Sequence, residues 1–496
     1  ASVSSYKVDL GVQYTARLTY ADRGLSGSPY DAGDDRSYSL DFLPQEFPVQ
    51  GTGDYRSPML IVRDANGVYG CDLRYQSHRI EQGKYGLEGL PAAYASYEED
   101  GAESLIITLA NERLGLSVDL LYGVLPGVDV ITRSVIVRNT GASVLTVEKL
   151  LSACLDFVNG SFDLVTFYGR HMMERQFDRQ PLSHGNKVIG SRRGTSSHQY
   201  NPFLILADRN TTEETGRCWS MQFVYSGGFK AEAERDQYAQ ARIQMGLFEE
   251  QLSYPVGPGE SLTGPEVILS FSREGFGGLS HNLHRCLRKH VCRSKYRDTA
   301  RPVLLNSWEA AYFKINEKVI LNLAKKAAGC GIELFVMDDG WFGERNDDKS
   351  SLGDWYVNKK KLPGGLEGLA KKINALDMSF GIWVEPEMVN VNSKLYKAHP
   401  EWSIQIPDRP HTEERNQRML DLGREDVQDY IIESMSRVLD SANIEYVKWD
   451  MNRNLTDIYS AALGSDKQCE LTHRYQMGLY RCMKTLTKRF PDILFE

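Results

Sequence analysis

The sequence contains no CxxC pair, no Gly-rich phosphate loop after a strand-like run, no His cluster and no apolar run long enough to span a bilayer. Its eight cysteines, at positions 71, 154, 218, 286, 292, 330, 469 and 482, are scattered without paired spacing. That pattern predicts buried free thiols in a reducing compartment, in preference to a disulfide framework or a zinc site. Without a phosphate loop, dinucleotide and nucleotide-hydrolysing folds lose their main signature. A positive surplus is missing too: 58 Lys and Arg stand against 66 Asp and Glu, a formal net charge of -8, with a pI of about 5.8. Nucleic-acid backbones and anionic membranes are therefore not expected partners. No charged-then-apolar leader opens the chain, and a cytoplasmic location is expected. The 41% hydrophobic and 25% charged residues are those of an ordinary globular protein, and 496 residues suffice for two or three domains.

Residues 1–277 read as β. "LGLSVDL" places Leu114, Leu116, Val118 and Leu120 on one face with period two. Asn139 to Gly141 make a turn, and short strand-like runs continue through "CWSMQFVYSGG" and "EVILSFSREG". Many short strands with turn signals predict a large antiparallel sandwich. Residues 278–300 turn helical and basic, a linker helix. From 301 to 496, helical stripes alternate with strands. One stripe is Val319, Ile320, Leu323, Ala324 and Ala327, closed by Gly329 and Gly331; Leu366, Leu369, Ile373 and Leu376 form the next. Val427, Tyr430, Ile431, Met435, Val438 and Leu439, then Leu471, Tyr475, Leu479, Cys482 and Leu486, complete the set. They alternate with the strands "PVLLNSWE", "IELFVMDDGW", "MSFGIWVEPEM", "IEYVKWD" and "DILFE". Helix-then-strand repeats imply a parallel sheet, and a (β/α)8 barrel is preferred over a doubly wound sheet. The expected fold is thus an N-terminal β-supersandwich followed by an incomplete (β/α)8 TIM-like barrel of five strands.

The strands end in polar and aromatic residues: Trp308-Glu309, Asp338-Asp339, Trp383 with Glu385 and Glu387, and Lys448-Trp449-Asp450. In a barrel, chemistry sits at these C-terminal tips. Residues two apart on a strand share a side, roughly 6.5–7 Å apart, so Lys448 and Asp450 face one pocket and Trp449 faces away. An ammonium beside Asp450 favours the ionised carboxylate, the state wanted in a nucleophile; a structural ion pair is the plainer alternative. Asp338-Asp339 suits a metal poorly, because a hard cation needs more oxygen ligands, and His399 and His411 are isolated. Carboxylates among tryptophans suit a sugar, whose hydroxyls donate to the oxygens while the indole covers its C–H face. Glu385 and Glu387 are a rival acid pair, although Pro386 between them implies a turn.

"NSWEAAYF", "FVMDDGWFGERNDDKSSLGDW", "GIWVEPEMV", "RNQRMLDL" and "YVKWDMNRN" together resemble the α-galactosidases of glycoside hydrolase family 36. "ADRGLSG", "SLDFLPQEFP" and "SSHQYNPF" resemble that family's N-terminal domain. The resemblance implies a retaining exo-acting hydrolase of terminal α-galactosyl units in sugars such as melibiose and raffinose, with neither metal nor cofactor. It implies Asp450 as nucleophile, with Lys448 and Asn452 as sugar-hydroxyl ligands and Asp338 and Asp339 gripping the far hydroxyls of galactose. Trp308, Trp383, Arg415, Trp449 and Met451 become pocket residues. Asp22 becomes an N-terminal aspartate that reaches the pocket, in some members from a neighbouring subunit. Tyr168 falls where many members carry Trp. A homo-oligomer, with a tetramer among the options, is the implied assembly. The family's acid/base aspartate and C-terminal β domain lie beyond "ILFE" in the pattern. Residues 1–496 alone are therefore expected to hydrolyse galactosides poorly. An α-N-acetylgalactosaminidase, a galactosyltransferase and a non-catalytic galactoside-binding fragment remain alternatives.

Overall fold

The computed structural model describes residues 29–30, 32–33 and 39–496, in two compact units, Ala1–Cys292 and Arg293–Glu496. In the first unit, alternating side chains build two antiparallel sheets. A ten-stranded sheet runs in the order Arg74–Gln82, Glu103–Asn111, Leu116–Leu125, Val130–Asn139, Glu266–Ser272, Cys218–Val224, Tyr200–Asp208, Phe162–Arg170 and Met173–Pro181, with Ser261–Thr263 on the side of Val130–Asn139. A six-stranded sheet centres on Leu145–Phe157 and Ala241–Leu247. Leu116, Val118 and Leu120 of one sheet pack with Leu60, Val147 and Leu150 of the other in a single core. The sandwich expected from the period-two pattern is borne out. Asn139 makes the expected turn by accepting from the Gly141 N–H at 2.9 Å.

The helix Gly275–Cys286 buries Leu279, Leu283 and Cys286 against Val130, Ile205 and Ile268 of the first unit. All eight cysteines are unpaired, as expected. Only five are buried, however; Cys292, Cys330 and Cys469 are exposed, a correction to the reading of all as buried thiols. Burial raises the Cys71, Cys218, Cys286 and Cys482 thiols to about 12, so they stay protonated and inert.

The second unit is a parallel sheet of Leu304–Asn306, Leu334–Met337, Ser379–Val384, Tyr446–Trp449 and Leu494–Phe495, hydrogen-bonded in that sequential order. A doubly wound sheet reverses its order at a switch point; this one does not, and the progression is that of an α/β barrel. The predicted helices are Glu317–Ala328, Gly365–Asn374, Glu425–Asp440 and Leu471–Arg489, and their stripes face one core with the inner strands. Gly331, at φ +80°, supplies the left-handed residue that turns the first helix back toward the sheet, while Gly329 keeps helical angles. The first strand is shorter than "PVLLNSWE" predicts. Asn306 accepts from the Trp308 N–H at 2.8 Å, which ends the strand and sets Trp308 in a short helical turn, Trp308–Ala311. After the third strand the chain makes an excursion in which Met388–Val389 pairs antiparallel with Arg418–Met419.

Candidate active site

Because the strands are parallel, the residues that follow them collect at one end of the sheet. The Asp450 N–H extends the fourth strand by donating to the Val384 carbonyl at 2.8 Å. Its carboxylate then meets three donors: Trp383 Nε1 at 3.0 Å, Asn452 Nδ2 at 2.6 Å and the Met451 N–H at 3.1 Å. Together they fix its orientation. Trp383 is itself held, stacked on Phe342 with ring centroids 6.2 Å apart and planes 7° apart.

Lys448 does not pair with Asp450. Its ammonium lies 3.2 Å from Asp338 Oδ2, which also accepts from Asn306 Nδ2 at 2.6 Å. The expectation of an ammonium paired with Asp450 is corrected, since strand facing constrains direction but not which carboxylate a long flexible stem reaches. Both oxygens of Asp339 have a protein donor as well. The buried guanidinium of Arg345 grips both of its oxygens at 2.7–3.1 Å. Burial pushes the Asp339 carboxyl above its ordinary range, and Arg345 opposes that rise.

Glu385 and Glu387 part company, as Pro386 foreshadows. Glu385 accepts from the Asn452 N–H at 2.7 Å and from Gln417 Nε2 at 2.8 Å. Glu387 accepts from Trp449 Nε1 at 2.9 Å and from the Tyr475 hydroxyl at 2.5 Å. Trp449 is thus directed toward the helix Leu471–Arg489, away from the face of Lys448. Burial, with the Asp450 carboxylate nearby, raises Glu385 from an ordinary 4.5 to about 8. Between those values the folded state holds a proton that the unfolded chain has released. The resulting stability is complete below about pH 4.5 and is lost as pH rises through about 8, at about 1.4 kcal/mol per pH unit. Glu385→Gln should flatten that decline. Urea midpoints from pH 5 to 8 that fall equally in wild type and variant would assign the proton elsewhere.

Arg415 and Asn416 both take φ +57°, and the Gln417 N–H donates to the Glu414 carbonyl at 3.1 Å. This is a tight hairpin turn of the kind that demands two left-handed residues, here without glycine. The turn presents Arg415 to Asn452 Oδ1 at 3.3 Å, so Asn452 bridges Arg415, Glu385 and Asp450. Trp308 meets Tyr312 and Phe313 edge-on, each with centroids 5.1 Å away. Tyr168 belongs to the first unit, where it lines an open groove of about 320 Å³ with Thr166, Asp178, Lys187 and Tyr200. Asp22 lies outside the described residues. The sequence reading missed Arg345, Asn390 and Gln417. Arg345 carried a signal, a lone cation six residues after a buried carboxylate in "DDGWFGER"; the two amides carried none.

Two family models match: Melibiase over residues 261–496, and the glycosyl hydrolase family 36 N-terminal domain over residues 11–256. The solved alpha-galactosidase AgaA of Geobacillus stearothermophilus superposes with a TM-score of 0.95 at 48% identity, covering 98% of this chain and 67% of that one. The chain belongs to glycoside hydrolase family 36. A relative, the bifunctional alpha-galactosidase/sucrose kinase AgaSK of Mediterraneibacter gnavus, is 54% identical over 97% of this chain and 50% of its own length. Curated AgaA is 49% identical over 96% of this chain and 65% of its own. The chain thus spans about half to two-thirds of the length of these relatives. Variants of AgaA have been solved in complex with raffinose and with stachyose.

Proposed function

We propose that the protein containing this chain is a retaining exo-α-galactosidase, acting on galacto-oligosaccharides such as melibiose and raffinose by double displacement. The observation that carries the reading is Asp450, held by three N–H donors at a parallel-strand tip beside two charge-paired aspartates, in a family 36 chain. In this mechanism Asp450 attacks the anomeric carbon as the bond to the leaving oxygen breaks. Water then displaces the carboxylate from the same face that the leaving group had occupied, and two inversions restore the α configuration. Such retention needs a second carboxyl about 5–5.5 Å from the first to protonate the leaving oxygen. That role is assigned to no residue of this chain; Glu385 accepts from Gln417 Nε2 and from the Asn452 N–H.

Asp338, Asp339, Lys448, Asn452 and Arg415 are the proposed hydroxyl ligands, with Trp308 and Trp383 as aromatic walls. Asp338→Asn and Asp339→Asn should each weaken galactose binding by about 1–3 kcal/mol, the cost of a lost buried acceptor. Calorimetry with galactose reads this directly. Activity in the complete protein should survive EDTA; loss on chelation with recovery on adding a divalent ion would reassign the aspartates as metal ligands.

A further inference from the structure

Asn390 follows the short strand Met388–Val389, is completely buried, and bonds through its side chain to Arg345, Leu352, Asp348 and Asn416, among the described residues, and not to Asp338, Asp339 or Asp450. All four of its hydrogen-bonding valences are used. Its Oδ1 accepts from Arg345 Nη1 and from the Leu352 N–H, both at 2.9 Å. Its Nδ2 donates to the Asp348 carbonyl at 3.2 Å and to the Asn416 carbonyl at 2.6 Å. A fully satisfied buried amide is a rigid joint, because every rotation breaks a bond that water cannot replace.

The groups it joins serve residues that follow the second and the fourth strands, which flank the third in the sheet. Arg345 is the fork that holds Asp339. Asn416 is the second left-handed residue of the turn that presents Arg415 to Asn452. A non-glycine pair at positive φ costs free energy and persists only where surrounding bonds over-determine it. The Asn390 amide supplies one such bond. A second comes from Asn416 Nδ2, which donates to Asp348 Oδ2 at 3.1 Å.

We propose that Asn390 is a positioning residue that keeps the Asp339–Arg345 wall and the Arg415 turn of the sugar site in one register. The inference rests on the galactoside reading of this site. Asn390→Asp tests it, being isosteric: the acceptors for Arg345 and Leu352 remain, and the donors to Asp348 and Asn416 are lost. In the complete protein, KM for an aryl α-galactoside should rise about tenfold, the size of one lost bond to a buried group, with kcat changed far less. Arg415→Ala should raise KM as well. The double variant should be no worse than the weaker single variant, because both cut the same connection.

Amide hydrogen exchange reads the connection without substrate. Exchange at the Gln417 N–H should quicken in Asn390→Asp, while the backbone of Leu334–Met337 keeps its protection. Asn390→Ser, with one donor and one acceptor, provides a second variant should the first fail to fold, and the same two changes are expected of it. A folded Asn390 variant with wild-type KM and wild-type exchange at Gln417, or KM effects that multiply in the double variant, would overturn the proposal. Wild-type protein that turns over no α-galactoside refutes the activity reading instead, and exchange at Gln417 still decides the role of Asn390.

Discussion

Replacing Asp450 by asparagine in the complete protein should reduce kcat on the order of 10⁴-fold, the scale of losing a central catalytic group. Galactose affinity should stay within about threefold, since the amide preserves the shape of a group that the mechanism uses in bond formation and not in ground-state binding. The surroundings favour a clean experiment. Trp383 Nε1 and Asn452 Nδ2 both point at Oδ2, and the Met451 N–H at Oδ1, so an amide oxygen can keep some of these bonds. A fluorinated galactoside that accumulates as a covalent intermediate should label a peptide containing Asp450 in the wild-type protein. Near-wild-type turnover of an aryl α-galactoside by the variant, or label on another peptide, would remove Asp450 from the role.

The largest loss of stability is expected from Arg345→Met. The guanidinium and the Asp339 carboxylate are both buried, and the fork between them is bidentate. Removing one partner strands a carboxylate away from water, which costs about 3–5 kcal/mol. Burial already raises the Asp339 carboxyl, and Arg345 is the cation that opposes this, so the variant's folded state takes up a proton more readily than wild type. A group whose folded value lies above its unfolded one loses its contribution as pH rises. The destabilisation should therefore be larger at pH 8 than at pH 5 in urea titrations. A loss below about 1 kcal/mol at both pH values would mean that water or a neighbour replaces the guanidinium. Arg345→Lys should fall between, because a single ammonium cannot reproduce a planar fork.

Leu116, Val118 and Leu120 turned inward together, and the stripes from Ile320 to Leu486 faced one core, because periodicities of two and 3.6 are properties of the local chain. The same locality made the strand tips legible: a buried run that ends in Asp-Asp or Lys-Trp-Asp has few reasons to do so. It failed at Trp308, where an Asn306 side chain ended the strand three residues early.

By itself, then, the sequence determined the β-then-α/β order, the faces of the elements and the identity of the residues at the strand tips. Only the tertiary structure decided how those residues are paired. Lys448 went to Asp338 and not to Asp450; Glu385 and Glu387 went to opposite partners; and Arg345, Asn390 and Gln417 became the supports of residues 6 to 45 positions away. Side chains of this kind carry no period, and a charge or an amide finds its partner by proximity across loops. Burial removes the competing water and makes one partner strongly preferred, and that preference arises only once the loops are in place.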